Sequence, residues 1–256
     1  MHFYFYDCFL FFIGLIAGTI DTLAGGGGLI TVPALLFTGI NIIPALGTNK
    51  LQSAIGELSA TLRFWKSGQL SFHGLAIPLF FTVIGSAIGT ITLQYSADQA
   101  LNKIVPWLLL AILLYYYLFP NLHFNLEKRQ LPIKPKILPW MGTVIGFYNG
   151  FFGPGTGAIW TISLMQIYKL RINTATIITK PLNIAGNITA LSIFISGGQI
   201  NYFSAFIMGV GSFIGGQIGA SLVIYKSSRF LRVFFLIVMT SCVFYSFVKY
   251  YNIHFV

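Results

Sequence analysis

Charge is what this 256-residue chain has least of. Only 8% of its residues are Asp, Glu, Lys or Arg, against about 25% in a soluble domain, so a water-facing surface cannot be assembled from it. Acids are scarcest, five against fifteen basic residues. Cysteine is nearly missing as well. Cys8 and Cys242 lie in apolar stretches without redox or metal-ligand spacing, which argues against a disulfide framework or thiolate centre. His2, His73, His123 and His254 sit near termini or segment ends and form no cluster. Paired carboxylates at catalytic spacing and a Ser/His/Asp set are missing from the spans, so neither an enzyme nor a metal or cofactor is expected.

What remains is apolar. Hydrophobic residues make up 56% of the chain and mean hydropathy is +0.80. Residues 74–97, 104–126, 137–168, 203–225 and 233–248 carry no charge, and about 20 apolar residues cross a bilayer. The expected fold is all-α, a polytopic integral membrane protein; a transmembrane barrel would show short alternating strands. Residues 1–20 lack a basic n-region and are interrupted by Asp7 and Cys8, so they read as the first membrane segment, not a signal peptide. The basic excess marks cytoplasmic loops first and anionic cargo second. The partners expected are lipid and a small anion, not nucleic acid, with a homo-oligomer left open.

The chain also contains itself twice. A shift of 130 residues carries Lys50, Gly56, Ala60, Phe64, Gly68 and Gln69 onto Lys180, Gly186, Ala190, Phe194, Gly198 and Gln199, and Gly85 and Gly89 onto Gly215 and Gly219. A shift of 132 places Gly14, Gly18 and Gly25 on Gly146, Gly150 and Gly157. Each half reads as five apolar segments: 5–24, 29–43, 45–66, 73–95 and 101–120, then 137–153, 157–169, 173–196, 202–224 and 230–250. About 8–10 membrane segments follow, with the crossing of the short 29–43 and 157–169 left open. The whole of 1–256 forms one domain: repeat one (5–120), a linker (121–136) and repeat two (137–250).

Loop charges orient the halves. The linker holds Lys128, Arg129, Lys134 and Lys136 against Glu127, so the positive-inside rule makes it cytoplasmic. Arg63 and Lys66 follow the third segment of half one, while residues 196–201 are uncharged. Lys169 and Arg171 precede the third segment of half two, while residues 40–44 are uncharged. Matched loops thus switch sides, which requires inverted repeats with both termini outside, an arrangement typical of secondary transporters.

Three features carry chemistry. Asp21 leads into Gly25, Gly26, Gly27 and Gly28, and the second half has Gly153, Pro154, Gly155, Thr156 and Gly157. Glycine runs break helices, and broken backbone at membrane depth survives only where protein buries it or it lines a cavity. A helix starting after such a break aims its positive end at that cavity, which suits an anion. Next, Thr48, Asn49, Lys50 and Gln52, with Thr179, Lys180, Asn183 and Asn187, form a polar stripe within apolar sequence; the two lysines attract the anion, and Thr48, Asn49, Gln52, Thr156, Asn183 and Asn187 hydrogen-bond it. Finally, Asp21 and Glu57 are acids within spans and lack acidic counterparts, aligning with Gly153 and Asn187. They are the coupling candidates; the bland alternative has Asp21 capping a helix or pairing with Lys50.

Gly25 to Gly28 followed by Pro33-Ala34-Leu35-Leu36, Ala45-Leu46-Gly47-Thr48 and Gly68-Gln69-Leu70 resembles the TauE/SafE family of sulfite exporter-like membrane proteins. The run from Gly146 to Gly157, with Thr179-Lys180-Pro181-Leu182-Asn183 and Asn187, resembles its probable membrane transporter branch. The resemblance covers nearly the whole chain. It implies a bacterial inner-membrane transporter with a duplicated core, acting on sulfur-containing anions such as sulfite and sulfonates; alternating access between the inverted halves is the expectation from the repeat. Gly-Pro-Gly-Thr-Gly replaces the glycine run in half two, and Met165 or a neighbouring apolar residue replaces the matching proline. Proton coupling through Asp21 and Glu57 is the expectation from the residues; the rivals are an anion channel of the same architecture and a transporter of an unrelated small metabolite.

Overall fold

The computed structural model describes residues 2–96 and 137–226, with isolated positions 107, 233, 237 and 240. The fifth segment of each half and the linker 121–136 therefore lie essentially outside the described residues. Those residues form eight helices and no strand: α1 (His2–Ala24), α2 (Gly28–Phe37), α3 (Ile42–Lys66), α4 (Ala76–Gln94), α5 (Leu138–Phe151), α6 (Thr156–Tyr168), α7 (Ile172–Ser196) and α8 (Tyr202–Tyr225).

Length and composition sort them. α1 from Tyr6, α4 and α8 are long and apolar enough to cross a membrane. α3 and α7 have 25 residues each, about 37 Å at 1.5 Å per residue, but carry a polar stripe. That stripe is buried against other helices, so lipid never meets it. α2 and α6, with 10 and 13 residues, reach only about 15 and 20 Å and cannot span a hydrocarbon core of about 30 Å. Large apolar side chains stand exposed on the outer faces of the helices, among them Phe80, Ile88, Trp140 and Phe206.

α3 and α7 stop in the same way. Gly68 and Gly198 adopt positive φ (69° and 65°), and the next amides, of Gln69 and Gln199, return to the carbonyls of Phe64 and Phe194. This is the glycine C-cap that satisfies orphan carbonyls. It also buries Phe64 and Phe194 completely in the shared core.

Each half reaches into the other. Gly14 and Gly18 of α1 lie on the backbone of Met208 and Ser212 of α8, so these helices run parallel with no room for a Cβ between them. Gly142 and Gly146 of α5 lie on the backbone at Pro78 and Thr82 of α4 in the same sense. Small residues permit such close packing, which holds helices together in lipid. α3 runs with α8 through Gln52–Ser212 and Ser59–Phe213 contacts, and α7 with α4 through Ser86–Gly186 and Gln94–Ile193. α3 and α7 cross antiparallel, Glu57 meeting Asn187 while Gly47 faces Phe194 and Gln199.

These contacts correct the register of the first helices. Gly14 and Gly18 correspond to Gly142 and Gly146, a shift of 128 and not 132, because their partners in α8 and α4 are themselves 130 apart. The error has a physical source. Glycines 142, 146 and 150 recur at one-turn spacing, so sliding by a turn still sets glycine on glycine. With the shift at 128, Gly25 falls on Gly153, both left-handed (φ 71° and 95°), and Gly27 falls on Gly155, both N-caps. Asp21 falls on Asn149 instead of Gly153, and Pro33 on Thr161 instead of Met165.

Candidate functional site

The two helix breaks meet. Gly25 and Gly157 bring their backbones together so closely that neither position accepts a Cβ, and Gly28 abuts Pro154. α2 and α6 both begin here with glycine N-caps, which bring no capping side chain of their own, so two positive dipole ends lie close together. Gly26 sits in the same break, its carbonyl accepting from Leu29. Gly27 N–H donates to Asp21 Oδ1 at 3.1 Å, which supplies a negative charge to the start of α2.

Each lysine crosses to the broken helix of the other half. Lys180 on α7 donates to the Asp21 carbonyl and, at 2.9 Å, to Asp21 Oδ2. Lys50 on α3 donates to the Asn149 carbonyl, to Asn149 Oδ1 at 2.7 Å and to Asn187 Oδ1 at 3.2 Å. A cation thus sits at the C-terminal end of both α1 and α5, where it opposes the negative dipole end and binds a last-turn backbone carbonyl. Lys50 and Lys180 are 1% and 0% exposed. Asp21 therefore pairs with Lys180, not with Lys50, and also caps the break.

The equivalence of the halves fails at the receiving groups. Lys180 meets a carboxylate, whereas Lys50 meets only neutral oxygens. Glu57, 2% exposed, accepts from Asn187 Nδ2 at 2.8 Å, and these two occupy matched positions on α3 and α7. Asn183 places its amide nitrogen against Gly157, while its Oδ1 is buried without a partner.

Other expected residues lie around this centre with protein partners of their own. Asn49 donates to Thr31, Gln52 and Ser53, and Gln52 donates to Ser212, which bonds the Gly14 carbonyl. Thr156 bonds the Gly153 carbonyl at 2.5 Å, locally within the α6 start. Thr48 faces away from Lys50, accepting from Asn201 N–H at 2.9 Å. Above that contact lies a cavity of about 330 Å³, lined by Asp7 and Leu10 of α1, Thr38 and Ile40 after α2, and Asn201 and Ser204 at the start of α8. Asn149, the residue that receives Lys50, was not anticipated as a site residue; the 128-residue register, which sets it on Asp21, was the signal for it.

A family model for the sulfite exporter TauE/SafE matches residues 10–245. The chain belongs to the TauE/SafE family. It is 37% identical over 229 residues to the "Probable membrane transporter protein YfcA" of Escherichia coli K12, covering 90% of this chain and 85% of that protein. A "Probable membrane transporter protein" of Haemophilus influenzae is 39% identical over 224 residues, 87% of both chains. A third relative, "Probable membrane transporter protein ORF9" of Sinorhizobium sp, is 34% identical over 235 residues, 90% of this chain and 88% of its own. No solved structure matches. The TauE/SafE chain described here is accordingly a membrane transporter and not an enzyme.

Proposed function

We propose that this protein moves a small sulfur-containing anion, sulfite or a small sulfonate, by alternating access between two inverted halves across a bacterial plasma membrane. The carrying observation is the Lys50 ammonium, buried at membrane depth and held only by neutral oxygens. Its charge has no directly bonded counter-ion, and a buried charge calls for one. An anion entering beside it supplies that counter-ion. The dipole ends of α2 and α6 add to the attraction, and the sulfur chemistry comes from the family's description.

Inversion is supported twice over. Matched loops are basic in one half and uncharged in the other, and the matched helices α3 and α7 run antiparallel while each half packs its first helix parallel to the other's fourth. The cavity near Thr48 joins the start of α1 and the α2–α3 and α7–α8 turns, the three segments whose lack of basic residues puts them outside. It is read as the outer vestibule, closed off from Lys50 at Thr48 and Asn201.

The test is uptake of labelled sulfite into proteoliposomes by wild type and Lys50→Ala, each verified as folded by its melting temperature. Saturable uptake that the substitution abolishes is expected. Equal uptake by a folded Lys50→Ala protein excludes Lys50 as the anion's partner.

A further inference from the structure

Asn187 is committed on both sides. Its Oδ1 accepts from Lys50 and its Nδ2 donates to Glu57. The orientation is forced, since an ammonium only donates and a carboxylate only accepts. The geometry points to Asn187 as the relay by which a proton on Glu57 releases Lys50 for the anion. This rests on the anion-transport reading above and selects Glu57, not Asp21, as the proton carrier.

The step balances. A proton binds Glu57 Oε2 and turns an acceptor into a donor. The Asn187 amide turns over, so that Oδ1 accepts from the new hydroxyl and Nδ2 faces Lys50. Donor then faces donor, Lys50 loses one acceptor, and its freed N–H joins Asn187 Nδ2 in bonding an oxygen of the anion. Before the step two buried lysines balance two carboxylates, Asp21 and Glu57; afterwards the added proton balances the added monoanion. Net buried charge is zero in both states, which avoids the large cost of an uncompensated charge in the bilayer.

The surroundings single out Glu57. Lys180 from α7 and Asp21 from α1 act on it electrostatically, as does Lys50 of its own helix. The remaining elements packed on α3, α2 and α8, contain no Asp, Glu, Lys, Arg or His. Asp21 is fixed otherwise, by its ion pair with Lys180 and its bond from Gly27, so protonating it breaks a lock instead of freeing a cation's acceptor.

The experiment measures binding of methanesulfonate, a monoanion that itself takes up no proton, to the purified full-length protein between about pH 5.5 and 8.5. Wild type is expected to lose about tenfold in affinity per pH unit above the Glu57 titration, the signature of one linked proton. Glu57→Gln should bind at every pH with the affinity wild type shows at low pH. Asn187→Ala should bind with a dependence below about threefold per unit. A tenfold dependence retained in folded Asn187→Ala overturns the relay, and one retained in Glu57→Gln overturns Glu57 as carrier. Should Asn187→Ala not fold, Glu57→Gln decides alone. Absence of both methanesulfonate and sulfite binding to wild type at every pH instead sinks the anion reading, and the relay with it.

Discussion

Lys180 and Lys50 look alike in sequence and differ in what they hold. Lys180 forms a buried ion pair with Asp21 at 2.9 Å, and removing one partner of such a pair costs about 3–5 kcal/mol because the other charge is stranded. Lys180→Ala is therefore expected to lower stability by that order, and the double variant Lys180→Gln with Asp21→Asn to recover most of it. Thermal unfolding in detergent measures both; equal stability of the two variants speaks against the lock. Lys50→Ala breaks no direct ion pair: it strands neutral oxygens, at about 1–3 kcal/mol, and takes away one of the two charges that balance Asp21 and Glu57, while removing anion affinity. Of the two, Lys50→Ala is thus the substitution expected to leave the protein folded. Charged and amide residues inside apolar segments stand out by themselves, which made Asp21, Lys50, Glu57, Lys180, Asn183 and Asn187 legible. Asn149 was hidden by the one-turn glycine repeat, which set Asp21 against the wrong partner.

At the scale of elements, the break between α1 and α2 needs glycine for two separate reasons. Gly25 has φ 71° and lies against the backbone of Gly157 and Ala158, whereas Gly39 has φ 87° with nothing near its missing Cβ. Gly39→Ala should therefore cost only the left-handed penalty, about 1–2 kcal/mol. Gly25→Ala must also part the two helix breaks, so its melting temperature in detergent should fall further and flux should be lost. If the two substitutions are equally mild, the breaks do not meet as described. The breaks themselves were legible, because a glycine run cannot continue a helix. So was the shortness of α2 and α6. Hydropathy alone passes over α3 and α7, since it scores polar residues as if lipid saw them, while Thr48, Asn49, Lys50 and Gln52 are buried by neighbouring helices. The register of α1 on α5 required the cross-half contacts at Gly14, Gly18, Gly142 and Gly146.

At the scale of the whole molecule, orientation rests on loop charge. With Cys8 and Cys242 replaced by serine, a cysteine at Gly39 should react with an impermeant maleimide in intact cells, and one at Lys66 only after permeabilisation. The opposite pattern reverses the orientation, and equal labelling of both defeats it. The most direct test of the transport mechanism is counterflow: proteoliposomes preloaded with unlabelled sulfite and exposed to a trace of labelled sulfite. Alternating access at the Lys50 site predicts transient, saturable accumulation of label that is lost in folded Lys50→Ala. Non-saturable equilibration without overshoot, or accumulation untouched by Lys50→Ala, would contradict it.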